Sequence, residues 1–259
     1  MRFTDQVVVV TGAGYGIGRG IAEAFAREGA HVVLSGRSTD KLAQVEEALS
    51  SGPAKPLVVP TDVRLEADVE RLVSTTTQKF GRLDVLVNNA GIAGPTALAR
   101  DTSLTDWEET LRVNLTGAFL CARRASSVMI DAKRGAIVNI SSVAGRLGYP
   151  LRTPYAASKW GMIGLSHSLA AELGLFNIRV NAVLPGSTEG ERIERVIAAR
   201  SAAEGRTPDE IRQWFVKDIP LQRMVTAAEV ANAVLFLASE DASGITGQAF
   251  SVCGGFTMR

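Results

Sequence analysis

The sequence contains few of the residues that build metal clusters or disulfide frameworks. Its 259 residues include only two cysteines, Cys121 and Cys253, and two histidines, His31 and His167. Two cysteines so far apart cannot form a disulfide framework, and the four residues together argue against a His/Cys zinc site. We therefore predict no bound metal, and two thiols that stay reduced in the cytoplasm.

An excess of charge of one sign and long apolar runs are also missing. Lys and Arg number 28 and Asp and Glu number 27, so the formal net charge is +1. This balance gives no electrostatic reason to expect nucleic acid or an anionic membrane as a partner. The first apolar run extends only from Val7 to Val10, which is too short for a signal peptide or a membrane-spanning helix. We expect a cytoplasmic protein with no nucleic-acid partner and no membrane partner.

Short β-branched runs alternate with longer helical patterns along the chain. The runs are continuously apolar, as in strands that are buried on both faces of a parallel sheet. The predicted strands are Val7–Thr11, His31–Leu34, Pro56–Val59, Asp84–Asn88, Ala136–Ser141, Arg179–Leu184 and Gln248–Val252. The predicted helices are Ile17–Glu28, Asp40–Leu49, Glu66–Phe80, Leu104–Met129, Pro154–Leu175, Glu191–Glu204, Pro208–Val216 and Thr226–Leu237. This alternation predicts an α/β fold with right-handed crossovers and a doubly wound sheet.

The chain shows no Pro/Ser-rich linker, no repeat and no low-complexity segment, so we predict a single domain over residues 1–259. The segment Gly186–Arg223 carries two helical patterns with no strand between them. We expect this segment to be an insertion over one edge of the sheet, where a lid or substrate loop could lie. Its alternating arginines and glutamates indicate ion pairs on helix surfaces.

The first predicted strand ends in a glycine-rich loop, Thr11 to Gly18, and a helix follows at once. Glycines allow a sharp turn and a close approach to a pyrophosphate, and the helix N-terminus offers free N–H groups. This context favours dinucleotide binding over a turn that needs glycine only for packing. The predicted contacts are Gly12, Gly14, Tyr15, Gly16, Ile17 and Gly18.

The end of the second strand bears on the choice of cofactor. A carboxylate there would favour NAD, but the sequence reads Ser35-Gly36-Arg37-Ser38. Arg37 could pair with a 2′-phosphate, with hydroxyls from Ser35 and Ser38, so we favour NADP(H) and leave NAD(H) open. The alternative for Arg37 is an exposed loop arginine. Asp62 and Val63 are predicted to border the adenine, and the alternative for Asp62 is the cap of a turn or helix.

Four motifs occur in a fixed order. They are Thr11-Gly12-x3-Gly16-x-Gly18, then Asn88-Asn89-Ala90-Gly91 after the fourth strand, then Ser142 ahead of Tyr155-x3-Lys159, and finally Pro185-Gly186 after the sixth strand. Together they resemble the short-chain dehydrogenase/reductase family, over essentially the whole chain from Val7 to Gly254-Gly255. The pattern is similar to 3-oxoacyl-(acyl-carrier-protein) reductases and to sugar and polyol dehydrogenases. The resemblance implies a Rossmann fold with a seven-stranded parallel sheet and a homotetramer or homodimer.

Tyr155 and Lys159 are spaced to face one side of a helix. A lysine cation beside a phenol lowers its pKa from the ordinary value of about 10. The resemblance implies that Tyr155 is the general acid/base, that Lys159 also holds the nicotinamide ribose, and that Ser142 binds the substrate oxygen. It further implies that Asn114 lies in a helix and holds a water that links Lys159 to solvent. On spacing alone, the Tyr155 and Lys159 pair could be an ordinary amphipathic pair.

The resemblance places a further set of residues beside the cofactor: Asn89, Ala90, Gly91, Pro185, Gly186 and Thr188. The family commonly has a threonine where this sequence has Gly190. Arg146 follows Ser142 by four residues, and Arg152 precedes Tyr155 by three. Either arginine could bind an anionic substrate. The alternative is that both are solvated charges at the rim of the site.

We predict an NADP(H)-dependent oxidoreductase that interconverts a ketone and a secondary alcohol, acting on a small-molecule substrate. The leading substrate classes are 3-oxoacyl compounds and sugars or polyols. The alternatives are an NAD-dependent sugar or polyol dehydrogenase and a non-catalytic nucleotide-binding relative.

Overall fold

The computed structural model describes residues 1–50, 52 and 55–258. The single-domain prediction also covers Ser51, Pro53, Ala54 and Arg259, which lie outside the described residues. All seven predicted strands are present and pair in parallel in one sheet, in the order β3-β2-β1-β4-β5-β6-β7. They are β1 Val7–Thr11, β2 His31–Gly36, β3 Leu57–Pro60, β4 Val85–Asn88, β5 Gly135–Ile140, β6 Ile178–Pro185 and β7 Ala249–Val252.

Helices cover both faces of the sheet, which confirms the doubly wound α/β fold. They are α1 Gly16–Arg27, α2 Thr39–Leu49, α3 Glu66–Phe80, α4 Leu104–Leu111, α5 Gly117–Ala132, α6 Thr153–Leu173, α7 Glu191–Glu204, α8 Pro208–Val216 and α9 Ala227–Ala238. Among the described residues, no helix combines the length and apolar content needed to cross a membrane.

The continuous apolar runs are explained by two cores, one on each face of the sheet. Val8 and Val10 of β1 point into the core formed with α1, α2 and α9. Val7 and Val9 point into the core formed with α3, α5 and α6. Because successive strand residues face opposite sides, a strand buried on both faces must be apolar at every position.

The prediction of one continuous helix over Leu104–Met129 is wrong, because the structure interrupts it with a turn that is not α-helical. A π-helical turn, Arg112–Thr116, separates α4 from α5 and contains Asn114. Such turns insert an extra residue and often mark functional sites. Here the turn places the fully buried Asn114 side chain against the loop after β4.

The strand order reverses between β1 and β4, and the chain leaves these two strands in opposite directions. This divergence opens a crevice at the carboxyl ends of the strands, where open α/β sheets bind ligands. The segment 186–223 borders the crevice through its first residues and α7. Helix α8 packs on α7, and the two share a small separate core that includes Ile197, Ile211 and Phe215. An isolated parallel bridge between Thr188 and Val225 joins the two ends of this segment.

Candidate active site

The glycine-rich loop after β1 is interlocked with the loop after β4. The Asn89 amide donates to the Thr11 carbonyl at 2.9 Å and to the Gly12 carbonyl at 3.1 Å. A Cβ added to Gly18 would lie 2.2 Å from the Gly12 carbonyl oxygen, and Gly12 has φ +65°. Packing therefore requires glycine at these two positions, whatever the loop binds.

The same loop leaves space and free donors for a ligand. A Cβ added to Gly16 would meet nothing within 4 Å, and the first turn of α1 carries no acidic side chain and no side-chain cap. The helix N-terminus thus presents unsatisfied N–H groups and a positive dipole end to the crevice. These features fit the pyrophosphate of a dinucleotide.

Two cavities of about 410 Å³ and 190 Å³ lie along the crevice and share Gly12, Gly14, Tyr15, Ala90 and Gly91. They form one groove, which we call the cofactor groove. The larger cavity brings together most of the predicted site residues, namely Gly12, Gly14, Tyr15, Gly16, Ile17, Gly18, Asn89, Ala90, Gly91, Ser142, Tyr155, Lys159, Pro185, Gly186 and Thr188.

The smaller cavity is lined by the predicted adenosine residues Arg37, Asp62 and Val63. Arg37 is exposed at its edge, whereas Ser35 is fully buried within the sheet. The predicted role of the Ser35 hydroxyl is therefore wrong, because β2 continues to Gly36 and keeps Ser35 inside. The sequence analysis missed Lys41, a cation of the first turn of α2 that lines both cavities.

The carboxylate of Asp62 is held by a neighbouring arginine. Arg64 Nε lies 3.0 Å from both carboxylate oxygens, and the Arg64 backbone N–H donates to Asp62 Oδ1 at 3.0 Å. The Arg64 guanidinium lowers the pKa of Asp62, against the opposing effect of burial. Asp62 thus caps a turn, as the alternative interpretation held, and its adenine contact stays a prediction.

Tyr155 and Lys159 lie in the first two turns of α6 and face the groove together, beside Ser142 at the end of β5. The Lys159 ammonium nitrogen lies 5.7 Å from the centre of the Tyr155 ring. It donates a hydrogen bond to the Ile140 carbonyl at 2.8 Å, and its side chain is buried. The expected common face of the two residues is therefore present.

The electrostatics of this cluster change the pKa values of both groups. Burial by itself raises the pKa of the Tyr155 phenol, but the charges of Arg192 and Lys159 outweigh that effect, so the pKa is lowered. A hydrogen bond from Ser142 and the charge of Arg152 act in the same direction. Burial lowers the pKa of Lys159 to about 8, against the opposing influence of Tyr155. A tyrosine with a lowered pKa is suited to proton transfer near neutral pH.

Asn114 fastens the loop after β4 to α6. Its Oδ1 accepts from the Ile92 N–H at 2.7 Å, and its Nδ2 donates to the Ile92 carbonyl and to Ser158 Oγ, both at 3.0 Å. Oδ1 keeps one lone pair that a water molecule could use. The predicted water link to Lys159 stays a prediction. Ser158, which the sequence analysis missed, precedes Lys159 directly.

Three arginines near the cluster have different surroundings. Arg146 is exposed, donates to the Ala249 carbonyl of β7 at 2.5 Å and does not line the groove, which favours the alternative of a solvated charge at the rim. Arg152 is buried and lines the groove. Arg192 of α7 also lines it, although its alternation with glutamates had indicated a surface ion pair. Within the described residues, no group of three or more His, Cys, Asp and Glu could hold a metal ion.

Comparisons with known proteins agree with this geometry. A family model described as enoyl-(acyl carrier protein) reductase matches residues 12–257. The chain is 39% identical to the 3-oxoacyl-[acyl-carrier-protein] reductase FabG of Thermotoga maritima, over 100% of both chains. It is 41% identical to the 3-oxoacyl-[acyl-carrier-protein] reductase of Synechocystis sp., over 98% of each.

Solved structures are also similar to this chain. The crystal structure of levodione reductase superposes with a TM-score of 0.94 at 34% identity and covers 98% of each chain. The structure of NAD⁺-bound xylitol dehydrogenase has a TM-score of 0.96 at 32% identity, over 98% of this chain and 100% of that one. The motifs, the fold and the relatives agree, and the chain belongs to the short-chain dehydrogenase/reductase family of oxidoreductases.

Proposed function

We propose that this protein is an NADP(H)-dependent oxidoreductase that interconverts a ketone and a secondary alcohol, with Tyr155 as the general acid/base. The observation that carries the proposal is the cluster of Tyr155, Lys159 and Ser142 at the wall of a groove that fits a dinucleotide. A protein that only bound nucleotide would have no use for a tyrosine with a lowered pKa. The names of the relatives, among them reductases of oxoacyl compounds and a xylitol dehydrogenase, support the same reaction type.

Different parts of the groove would contact different parts of the cofactor. The glycine-rich loop and the α1 N-terminus would hold the pyrophosphate, with Arg37 and Val63 at the adenosine end. Residues of two loops would hold the nicotinamide end: Asn89, Ala90, Gly91, Pro185, Gly186 and Thr188. When bound, the cofactor supplies or accepts the hydride.

The residues of the cluster move one proton at the substrate oxygen. In reduction, the Tyr155 hydroxyl donates its proton to the carbonyl oxygen as the alcohol forms; in oxidation, the phenolate removes it. Ser142 Oγ donates a hydrogen bond to the same oxygen and stabilises its developing negative charge. Lys159, fixed by the Ile140 carbonyl, supplies a positive charge that favours the phenolate, and its ammonium would also hold the nicotinamide ribose.

The preference for NADP(H) rests on the charges at the adenosine end. Arg37 lines this end of the groove and offers a cation to a 2′-phosphate; Lys41 lines it too and forms an ion pair with Glu191 at 3.8 Å. The one carboxylate among its lining residues, Asp62, is already paired with Arg64. A structural neighbour, actinorhodin polyketide ketoreductase, was solved with NADPH, and xylitol dehydrogenase with NAD⁺. Cofactor choice in this chain therefore depends on its own side chains.

We also propose that the protein acts in the cytoplasm as a homodimer or homotetramer. Support comes from two large side chains on the outer faces of α5 and α6, Phe119 and Trp160, which are 42% and 52% exposed. Exposed aromatic residues of this size are enriched at subunit interfaces.

The test follows NADPH loss with a panel of ketones: an acetoacetyl thioester, a keto-sugar acid, a keto-sugar phosphate and neutral diketones. We expect Tyr155→Phe to lower turnover at least about a hundredfold while NADPH still binds. Tyr149→Phe is the matched control, because this phenol lines the same groove but burial raises its pKa to about 12. Its loss should be much smaller. Undiminished turnover in Tyr155→Phe would overturn the proposed role, and NADPH binding without turnover of any ketone or alcohol would favour the non-catalytic alternative.

A further inference from the structure

Two guanidinium groups lie close to the Tyr155 ring at the wall of the groove. The Arg152 Cζ lies 5.4 Å from the ring centre and the Arg192 Cζ lies 5.7 Å from it. Arg152 belongs to the loop before α6, whereas Arg192 belongs to the first turn of α7. Two separate elements thus bring positive charge to the reacting phenol.

Arg152 is a buried cation that forms no ion pair with any carboxylate of the described residues. Its side chain donates to the Ala93 carbonyl at 2.7 Å and to Thr96 Oγ1 at 3.2 Å, and the residue is only 5% exposed. Its Nε–H is buried and has no hydrogen-bond partner in the described structure. A buried charge is costly unless it is paired. The arrangement therefore leaves a guanidinium that an incoming anion could neutralise.

Arg192 differs from most other arginines of its segment. Four of those arginines form ion pairs with glutamates, namely Arg200 and Arg206 with Glu204, Arg212 with Glu194, and Arg223 with Glu229, whereas Arg195, like Arg192, forms none among the described residues. Arg192 forms no ion pair among the described residues and lies over Tyr155 instead. Arg192 therefore faces the groove as a cation that no ion pair in the described part of the chain neutralises.

Two carboxylates, Glu189 and Glu191, are among the described residues that line the larger cavity. Glu191 forms an ion pair with Lys41 at 3.8 Å. The hydrogen bond between Arg223 and Glu229 raises the pKa of Arg223, and the charge of Glu189 adds to this effect. Burial lowers the pKa of Arg152, the phenols of Tyr155 and Tyr149 oppose this effect, and the charge of Arg192 adds to it.

We infer that the substrate carries an anionic group, of the carboxylate, sulfonate or phosphate class, which Arg152 and Arg192 bind while the reacting carbonyl lies at Tyr155. This inference rests on the proposed ketone–alcohol reaction and specifies its substrate class. Charge-assisted hydrogen bonds to a guanidinium are among the stronger polar contacts in proteins. Because Arg192 lies on α7, binding of the anion would also hold this helix close to Arg152 and Tyr155.

The cofactor phosphates are the other source of negative charge. Arg195, one turn beyond Arg192, lies 5.9 Å from the Tyr15 ring of the glycine-rich loop, so it is better placed for the pyrophosphate. Arg192 lies over Tyr155, where the substrate reacts. Measurements on substrate and cofactor must therefore be separated.

The experiment compares matched substrates on the full-length enzyme: acetoacetate and 4-oxopentanoate, each with its methyl ester. The readouts are kcat/KM for each ketone and the Kd of NADPH, measured by the fluorescence of the bound nicotinamide. The variants are Arg192→Gln and Arg152→Gln, with Arg152→Lys in case the buried glutamine impairs folding. Arg212→Gln is the matched control, because Arg212 pairs with Glu194 on the same segment and does not line the groove.

We expect the enzyme to prefer the acid over its ester by about tenfold to a hundredfold, the range of a charge-assisted contact. Arg192→Gln should remove most of this preference, mainly through KM, and leave the NADPH Kd within about twofold; Arg212→Gln should keep the preference. Equal turnover of acid and ester by the unmodified enzyme would overturn the inference while leaving the ketone reduction itself established. A weaker NADPH Kd in Arg192→Gln with an unchanged preference would assign the arginine to the cofactor and also overturn it.

If neither acids nor esters are reduced, inorganic sulfate titrated into the NADPH complex serves as the probe. Sulfate binding that Arg192→Gln abolishes would support the anion site even though the proposed reaction had failed with these ketones. No sulfate binding in that case would overturn the site itself.

Discussion

Replacing Lys159 by methionine should raise the pKa of Tyr155. The ammonium nitrogen lies 5.7 Å from the centre of the phenol ring. At that distance, with an effective dielectric constant of about 20, a unit charge contributes about 3 kcal/mol, which corresponds to about two pKa units. The cation favours the phenolate, so its removal must shift the pKa upward. Because Lys159 has a pKa of about 8, its stabilisation of the phenolate is present below about pH 8 and is lost as the pH rises through that value.

The composition of the chain makes a direct assay possible. The sequence has only three tyrosines, Tyr15, Tyr149 and Tyr155, and burial raises the pKa of Tyr149 to about 12. The near-ultraviolet absorbance of phenolate can therefore be followed against pH, and subtraction of the Tyr155→Phe titration isolates Tyr155. Lys159→Met should move the midpoint of this signal upward by about two units.

A second lysine provides the matched control. The Lys41 ammonium lies 4.7 Å from the centre of the Tyr15 ring and not beside Tyr155. Lys41→Met should leave the isolated Tyr155 signal where it is in the unmodified protein. If Lys159→Met also left that midpoint unmoved, the electrostatic account of the cluster would be refuted. The acidic limb of alcohol oxidation, which needs the phenolate, should follow the same upward shift.

Three other predictions concern the cofactor loop, the cofactor choice and the buried asparagine. Gly18→Ala should weaken NADPH binding and destabilise the protein by about 1–3 kcal/mol in urea unfolding, because its Cβ would lie 2.2 Å from the Gly12 carbonyl oxygen; an unchanged midpoint would contradict this packing. Arg37→Ala should weaken NADPH more than NADH in fluorescence titrations, and an equal loss for both would show that Arg37 does not contact the 2′-phosphate. Asn114→Ala should cost about 2–4 kcal/mol of unfolding free energy, because it removes three hydrogen bonds in a fully buried position; a loss below about 0.5 kcal/mol would show that these bonds are not formed in solution.

The secondary structure could be predicted because local pattern and burial coincide in this fold. Strands covered on both faces must be apolar at every position, so β1 could be recognised from Val7–Thr11 alone. The helix Leu104–Met129 was misjudged because the π-helical turn around Asn114 depends on partners that a periodic pattern does not contain. Ser35 was misjudged for a related reason, since only strand pairing shows that β2 continues past it.

The functional site also has some features that local sequence patterns predict and others that depend on tertiary contacts. The glycine-rich loop and the pair of Tyr155 and Lys159 could be recognised from the sequence, because each is a short local pattern, one at a strand-to-helix turn and one within two turns of a helix. The positions of Arg152 and Arg192 beside the same phenol, and the contact of Arg146 with β7, depend on tertiary structure. A helical period shows which residues share a face, but it does not show what that face meets. Which arginine is paired and which faces the groove depends on how distant segments pack, and that is settled only when the chain has folded.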